Sequence, residues 1–137
     1  IAFASPPGLF FGRIANFINT ELIGRPTDFY ISVIYPSIDS KPRHPSQLYE
    51  AFFEGIVLFV ILNLYFFRKK NFTAFGSTSG YFLILYGSFR FCIEFLREPD
   101  THIGLFFNYI TMGQILCLPL LIFGIMLIKY NGYKKKF

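Results

Sequence analysis

Tryptophan is absent from the 137 residues, histidine, cysteine and methionine occur only twice each, and charged side chains make up 15% of the chain. Cys92, Cys117, His44 and His102 stand at no metal-ligand spacing, so no metal site is expected, and the two cysteines fall in apolar segments as buried free thiols. Both histidines are expected in loops, and titration near neutrality keeps them eligible as bases. The net charge of +5 is gathered at Arg68 to Lys70 and Lys134 to Lys136, which excludes a spread basic surface for nucleic acid. The chain opens at Ile1 inside an apolar stretch, without a basic leader or a small-residue cleavage site. A signal peptide is therefore not expected, and a start partway through a helix, with sequence upstream, is expected.

What the chain has in abundance is apolar sequence: 53% hydrophobic residues, twenty of them phenylalanine, at a mean hydropathy of +0.46. The apolar residues come in long blocks separated by short polar ones, the pattern of repeated membrane spans. The expected fold is all-α: a polytopic integral membrane protein with about four transmembrane helices and an extended outward-facing loop, residues 1–137 forming a single membrane domain.

The first span is Ile1 to Ile18, softly broken by Pro6 and Pro7. A loop from Asn19 to Ser46 follows, longer than the roughly 12 to 15 residues that unstructured connections usually reach, with strand-like composition from Phe29 to Tyr35. Ser46 is placed to cap a second helix, Gln47 to Phe67, whose 21 residues reach about 32 Å at about 1.5 Å each, enough to cross a bilayer. A third helix runs from Gly80 to about Leu96 and a fourth from about Tyr109 to Ile128. With both basic clusters assigned to the cytoplasm, the loops Asn19 to Ser46 and Arg97 to Asn108 face outward and the C-terminus faces inward.

Polar residues inside such segments need a reason, because an ionisable group at the centre of a bilayer costs roughly 2.5 to 3.5 kcal/mol on insertion scales. Arg13, Asn16 and Thr20 are spaced i, i+3, i+7 and share one face of the first helix. Tyr86, Arg90, Glu94 and Arg97 form one stripe on the third. Gln47, Glu50 and Glu54 share a face of the second. Two readings follow. Arg90 and Glu94 neutralise each other and hold helices together, or the surplus of guanidinium, Arg13 included, forms a lateral cavity for an anion such as a phospholipid head group. Glu54 either orients the arginines or pairs with one of them.

Four motifs stand in order along the chain: Gly12-Arg13-Ile14-Ala15-Asn16-Phe17-Ile18-Asn19 with Glu21 and Gly24-Arg25-Pro26; Arg43-His44-Pro45-Ser46-Gln47-Leu48-Tyr49-Glu50; Tyr86 to Asp100; and Met112-Gly113-Gln114. Together they resemble the C-terminal half or so of bacterial prolipoprotein diacylglyceryl transferases. The resemblance implies an inner-membrane enzyme with its active site toward the outer side and no metal or organic cofactor. Its partners would be phosphatidylglycerol, a preprolipoprotein lipobox peptide and membrane lipids. It would transfer the diacylglyceryl group to the lipobox cysteine, the first step of lipoprotein maturation, and release glycerol phosphate.

It further implies that Arg13 binds the lipid phosphate, with Asn16, Glu21 and Gly24 shaping that site, and that Arg90 is the second essential arginine, aided by Tyr86 and Glu94. Ala15 and Thr20 depart from the family's usual Gly, and Ile23 from its usual Trp. The family's His-Gly-Gly-Leu motif, whose histidine is a candidate base, has no counterpart here, and neither His44 nor His102 matches it. The chain is therefore expected to be the C-terminal part of a larger transferase and inactive alone. A non-catalytic lipid-binding or transport subunit and an inactive remnant are the alternatives.

Overall fold

The computed structural model describes residues 1–68, 76–99 and 110–134, without the side chains of 66–68 and 131–134. His102, most of the second outward loop and the lysines at 69, 70, 135 and 136 lie outside the described residues.

Helix α1 spans Ser5–Ile18. Pro6 and Pro7 do not break it: they sit in its first turn, where a missing N–H forfeits no helical hydrogen bond. Its 14 residues rise only about 21 Å, short of a hydrocarbon core of about 30 Å. Thr20 (φ 59°) and Leu22 (φ 55°) take left-handed conformations just past its end and turn the chain aside. Thr20 is thus off the helix, and the expected wall of Arg13, Asn16 and Thr20 is cut short.

The long loop is ordered by a small antiparallel ladder, a strand component in an otherwise helical protein. Strand β1 (Val33–Ile34), inside the stretch expected to be extended, pairs with β2 (Pro42–Arg43), which lies outside it. Residues 23–27 form a second extended piece between two neighbours. His44 N donates to Arg25 O at 3.0 Å and Thr27 N to Pro42 O at 2.9 Å on one side. Arg25 N donates to Leu96 O at 2.9 Å and Glu98 N to Ile23 O at 3.1 Å on the other. The loop is thereby stitched to the chain that leaves the third long helix.

Arg43, 6% exposed, locks this arrangement: its guanidinium meets Asp39 at 2.7 Å, donates to Gly24 O at 3.1 Å and pairs with Glu98. The Arg43 hydrogen bond holds the Asp39 carboxyl below its ordinary value. At Gly24 an added Cβ would run into the His44 carbonyl and lie 2.8 Å from His44 Cβ, so only glycine admits the close crossing.

The second long helix is continuous but not uniform. Helix α2 (Ser46–Glu50) passes into a π-helical stretch, Ala51–Val57, and then α3 (Leu58–Arg68). Ser46 does not cap it from outside: it is the first helical residue, and its hydroxyl donates to Leu22 O at 3.0 Å. Helix α4 (Ser77–Ile93) starts after Gly76 in a left-handed conformation (φ 94°) and ends in a single 3-10 turn, Glu94–Leu96. Helix α5 (Met112–Lys134) continues six residues beyond the expected stop at Ile128 and contains Pro119.

Two of these elements, Ser46–Tyr65 and Met112–Tyr130, are long and apolar enough to cross a membrane. Their outward faces carry Phe59, Val60 and Leu64 on one and Leu116, Ile122 and Phe123 on the other, which suits contact with lipid. Inside, Leu58 and Leu62 are buried against Phe82, Leu85 and Phe89 of α4. Helices α4 and α5 approach through small residues: a Cβ on Gly80 would lie 2.9 Å from Gly124 O, and one on Gly124 2.8 Å from Gly80 O. Close backbone approach at glycine is a common way for helices to pack where lipid removes the hydrophobic drive. Cys117 is buried at this interface side, while Cys92 is exposed on α4, against the expectation of two buried thiols.

Candidate functional site

Glycine also sets the distance between α1 and the π-helical stretch. A Cβ on Gly55 would sit 2.6 Å from Phe10 Cβ, so the two backbones meet there. Arg13, one turn beyond Phe10, consequently reaches across the contact. Its Nη2 lies 3.1 Å from Glu54 Oε2 and its Nε 3.0 Å from Glu50 Oε2. Glu50 and Glu54 flank the junction into the π-helical stretch, a distortion found frequently at functional sites.

Arg90 of α4 reaches the same two carboxylates from the opposite side. Its Nη1 pairs with Glu50 Oε1 and lies 4.0 Å from Glu54 Oε1. Its Nη2 lies 2.7 Å from Glu94 Oε2. Beyond the helix, Arg97 is extended and 8% exposed, with Nη1 3.9 Å from Glu94 Oε2. Thr111 donates to Glu94 Oε1 at 3.1 Å, and Gly113 packs so tightly that a Cβ would sit 2.6 Å from that oxygen. All four motifs quoted from the sequence therefore converge on one buried cluster.

The expected surplus of cation is not what forms. Arg13, Arg90 and Arg97 face Glu50, Glu54 and Glu94, three charges against three among the described residues. The alternatives for Glu54 resolve toward both at once, since it pairs with Arg13 and borders Arg90. Glu50 Oε2, Glu54 Oε1 and Glu94 Oε2 are buried without an aligned hydrogen bond and face guanidinium nitrogens at 3.0, 4.0 and 2.7 Å, so ion pairing is what offsets their desolvation.

The other expected site residues lie around this cluster in different ways. Tyr86 stacks on Phe82 with ring centroids 5.8 Å apart and is within electrostatic reach of Glu54, Arg13 and Arg90. Asn16 is half-buried on α1, and its carbonyl accepts from Glu21 N at 2.9 Å. The Glu21 side chain is exposed; its carbonyl accepts from Gln47 Nε2 at 2.6 Å. Gly24 is buried in the loop, bridged to Arg97. His44 packs between Phe29 and Tyr49 in the loop, at 6.0 and 6.1 Å. A shallow pocket of about 210 Å³ is lined by Pro26, Thr27, Asp28, Lys41 and Pro42, none of which belongs to the cluster.

Four further residues complete the support. Gln47 is fully buried, taking the Tyr35 hydroxyl at 3.1 Å while holding Glu21 O. Gln114 is 2% exposed and its Oε1 accepts from Thr111 N at 3.1 Å. Arg43 and Thr111 are buried as described. Arg43, Gln47 and Gln114 stand within the quoted motifs and Thr111 immediately precedes one, but single-helix periodicity carries no information about which residues meet across helices.

Two helices long and apolar enough to cross a membrane, packed with a buried arginine–carboxylate cluster, are the features expected of a membrane protein with a charged interior. The profile of the prolipoprotein diacylglyceryl transferase family matches residues 1–130, and the chain belongs to that family. It is 58% identical over 128 residues to the phosphatidylglycerol--prolipoprotein diacylglyceryl transferase of Rickettsia bellii (strain OSU 85-389), covering 93% of this chain and 49% of that protein. The similarly named protein of Rickettsia felis is 56% identical over 134 residues, 98% of this chain and 52% of the relative. That of Nitratidesulfovibrio vulgaris (strain DP4) is 51% identical over 130 residues, 94% and 48% respectively. The chain thus spans about half the length of the curated relatives it matches.

Proposed function

We propose that this chain supplies the lipid-phosphate site of an enzyme that moves the diacylglyceryl group of phosphatidylglycerol onto the lipobox cysteine of a preprolipoprotein. The observation that carries the proposal is the convergence of Arg13 and Arg90, from two different helices, on Glu50 and Glu54. In this reading the phosphate takes guanidinium contacts now made by carboxylates, with Asn16, Glu21 and Gly24 shaping the Arg13 side and Tyr86 and Glu94 the Arg90 side.

The cysteine thiolate attacks the glycerol carbon bearing the phosphate ester. A C–S bond forms, the C–O bond breaks, and glycerol phosphate leaves with the electron pair. Arg90 and Arg13 stabilise the charge that grows on the departing phosphate, a role worth roughly 10² to 10³ in rate per donor removed. The thiol proton goes to a base that the assigned residues do not include. The chain lies in a bacterial inner membrane with about four spans, α4 and the first apolar segment, Ile1 to Ile18 with the short α1 in it, adding to the two longer ones; the cluster opens toward the outer leaflet and the C-terminus is cytoplasmic.

The test is a transfer assay in phosphatidylglycerol vesicles with a lipobox peptide, following peptide mass, with the chain alone and with the remaining half of a family member. Product only with the complement is the expected result, abolished by Arg13→Ala or Arg90→Ala. Product from the chain alone would place the base here, with His44 and Glu54 tested first. Turnover unchanged in both arginine variants would refute the phosphate assignment, and lipid movement between leaflets without any thiol acceptor would favour a transport subunit.

A further inference from the structure

The ten residues 29–38 contain no charged side chain, although they belong to a loop rather than to a span. Charges stand immediately outside them, Asp28 on one side and Asp39 and Lys41 on the other. Within the stretch the apolar residues are turned outward: Tyr30 is 96% exposed, Phe29 56%, Ile31 52%, Ile34 54% and Ile38 46%. Single exposed apolar side chains are ordinary, but five in ten consecutive residues make a patch that marks a contact surface.

The height of this patch is fixed by hydrogen bonds to the start of the second long helix. Tyr35, buried, donates to Gln47 Oε1 at 3.1 Å, and the Tyr49 hydroxyl donates to Ile31 O at 3.3 Å. Phe29, His44 and Tyr49 follow one another in ring contact. Phe52 and Phe53, one turn further along the helix, are also exposed and belong to the Ser46–Tyr65 span. The apolar surface therefore runs from the loop onto the lipid-facing side of a spanning helix. At the α1 end Ile18 is likewise exposed.

We propose that residues 29–38 lie in the interface of the outer leaflet, inserting Phe29, Tyr30 and Ile31 among the lipid head groups and upper acyl chains. Aromatic rings with one polar tip favour that depth, and apolar side chains there gain by leaving water. The patch thus holds the loop that carries Gly24 and Arg43 against the membrane from which lipid enters. The inference rests on the spanning arrangement proposed above.

The absence of tryptophan makes the test direct. Tyr30→Trp introduces the only indole of this chain; in a longer protein it is read as the difference from the unmodified protein. The full protein is reconstituted in phosphatidylglycerol-containing vesicles, with Phe52→Trp as the reference for bilayer depth. Blue-shifted emission from Tyr30→Trp, quenched most by lipids brominated near the top of the acyl chains and little by aqueous iodide, is the expected result. Water-like emission quenched by iodide would overturn the proposal. Blue-shifted emission insensitive to brominated lipid would also overturn it and assign the patch to a protein partner, such as the substrate peptide. If Phe52→Trp itself escapes brominated lipid, the spanning arrangement fails instead.

Discussion

Removing Arg90 separates the structural task of the cluster, holding the helices, from the proposed one of receiving a lipid phosphate. Its guanidinium sits 2.7 Å from Glu94 and pairs with Glu50, both almost fully excluded from solvent. At an effective dielectric of about 20, a single pair at that distance is worth about 6 kcal/mol of gross Coulomb energy. The desolvation it offsets is of similar size, so the pair adds little net stability, but truncating one member strands the other. Arg90→Ala is therefore expected to cost about 3 to 5 kcal/mol. Adding Glu50→Gln to Arg90→Ala removes one stranded charge and is expected to recover a substantial part of that loss, while transfer activity stays abolished. The measurement is thermal unfolding in a fixed detergent or lipid for the single and double variants, beside turnover of the peptide. Strictly additive stability losses would refute the reasoning, because uncoupled residues do not share a buried charge balance.

Gly55→Ala places a methyl group 2.6 Å from Phe10 Cβ and is expected to destabilise the protein by about 1 to 3 kcal/mol. Gly8→Ala on the same helix α1, with open space around its Cβ, should instead be neutral or stabilising by up to about 1 kcal/mol; equal unfolding midpoints for the two variants would contradict the close contact. Gly113→Ala pushes on the Glu94 carboxylate and should lower kcat/KM about tenfold or more, some 1.4 kcal/mol in the barrier, with a smaller change in unfolding temperature. The Asp39 carboxyl lies below its ordinary value of 3.8 chiefly through the Arg43 hydrogen bond. A depressed carboxyl contributes stability above the unfolded value and loses it as pH falls through the folded one, so protease resistance of the loop should be flat from neutrality to about pH 4 and decline only below. Asp39→Asn should abolish that acid-side decline, and an unchanged decline would point to another group.

The elements legible in the sequence were those encoded by local pattern. The second and fourth apolar blocks became long helices because their apolar length outweighs a local breaker such as Pro119, and Val33 and Ile34 paired within the run of strand-like composition. What local pattern could not reveal was where a helix yields to tertiary demands. Glu94 and Arg97 match a helical stripe, yet the chain tightens into a 3-10 turn at Glu94 and extends at Arg97, because Leu96 O and Glu98 N bond to the loop at Arg25 and Ile23. The surplus of guanidinium was an artefact of reading one helix at a time. Glu50 and Glu54 were visible as a polar face, but the side that face would turn to depended on Gly55 meeting Phe10, a contact between residues 45 positions apart.

Charge balance within the cluster changes what ligand binding requires. An unpaired arginine would draw any anion of the right size; an arginine held at 3.1 Å by Glu54 and 3.0 Å by Glu50 accepts only one that offers more than a carboxylate does. Under the proposed function, a phosphate ester approached by both Arg13 and Arg90 would meet that condition, since its oxygens can engage two planar guanidinium forks together. The carboxylates, in turn, keep the guanidiniums aimed and neutralised while the site is empty. Glu54→Gln should consequently leave both arginines in place but weaken the competition for Arg13, so that KM for phosphatidylglycerol falls or stays level while kcat declines through looser aim. A rise in KM with unchanged kcat would show instead that Glu54 contacts the lipid itself, and the exchange of partners at Arg13 would have to be abandoned.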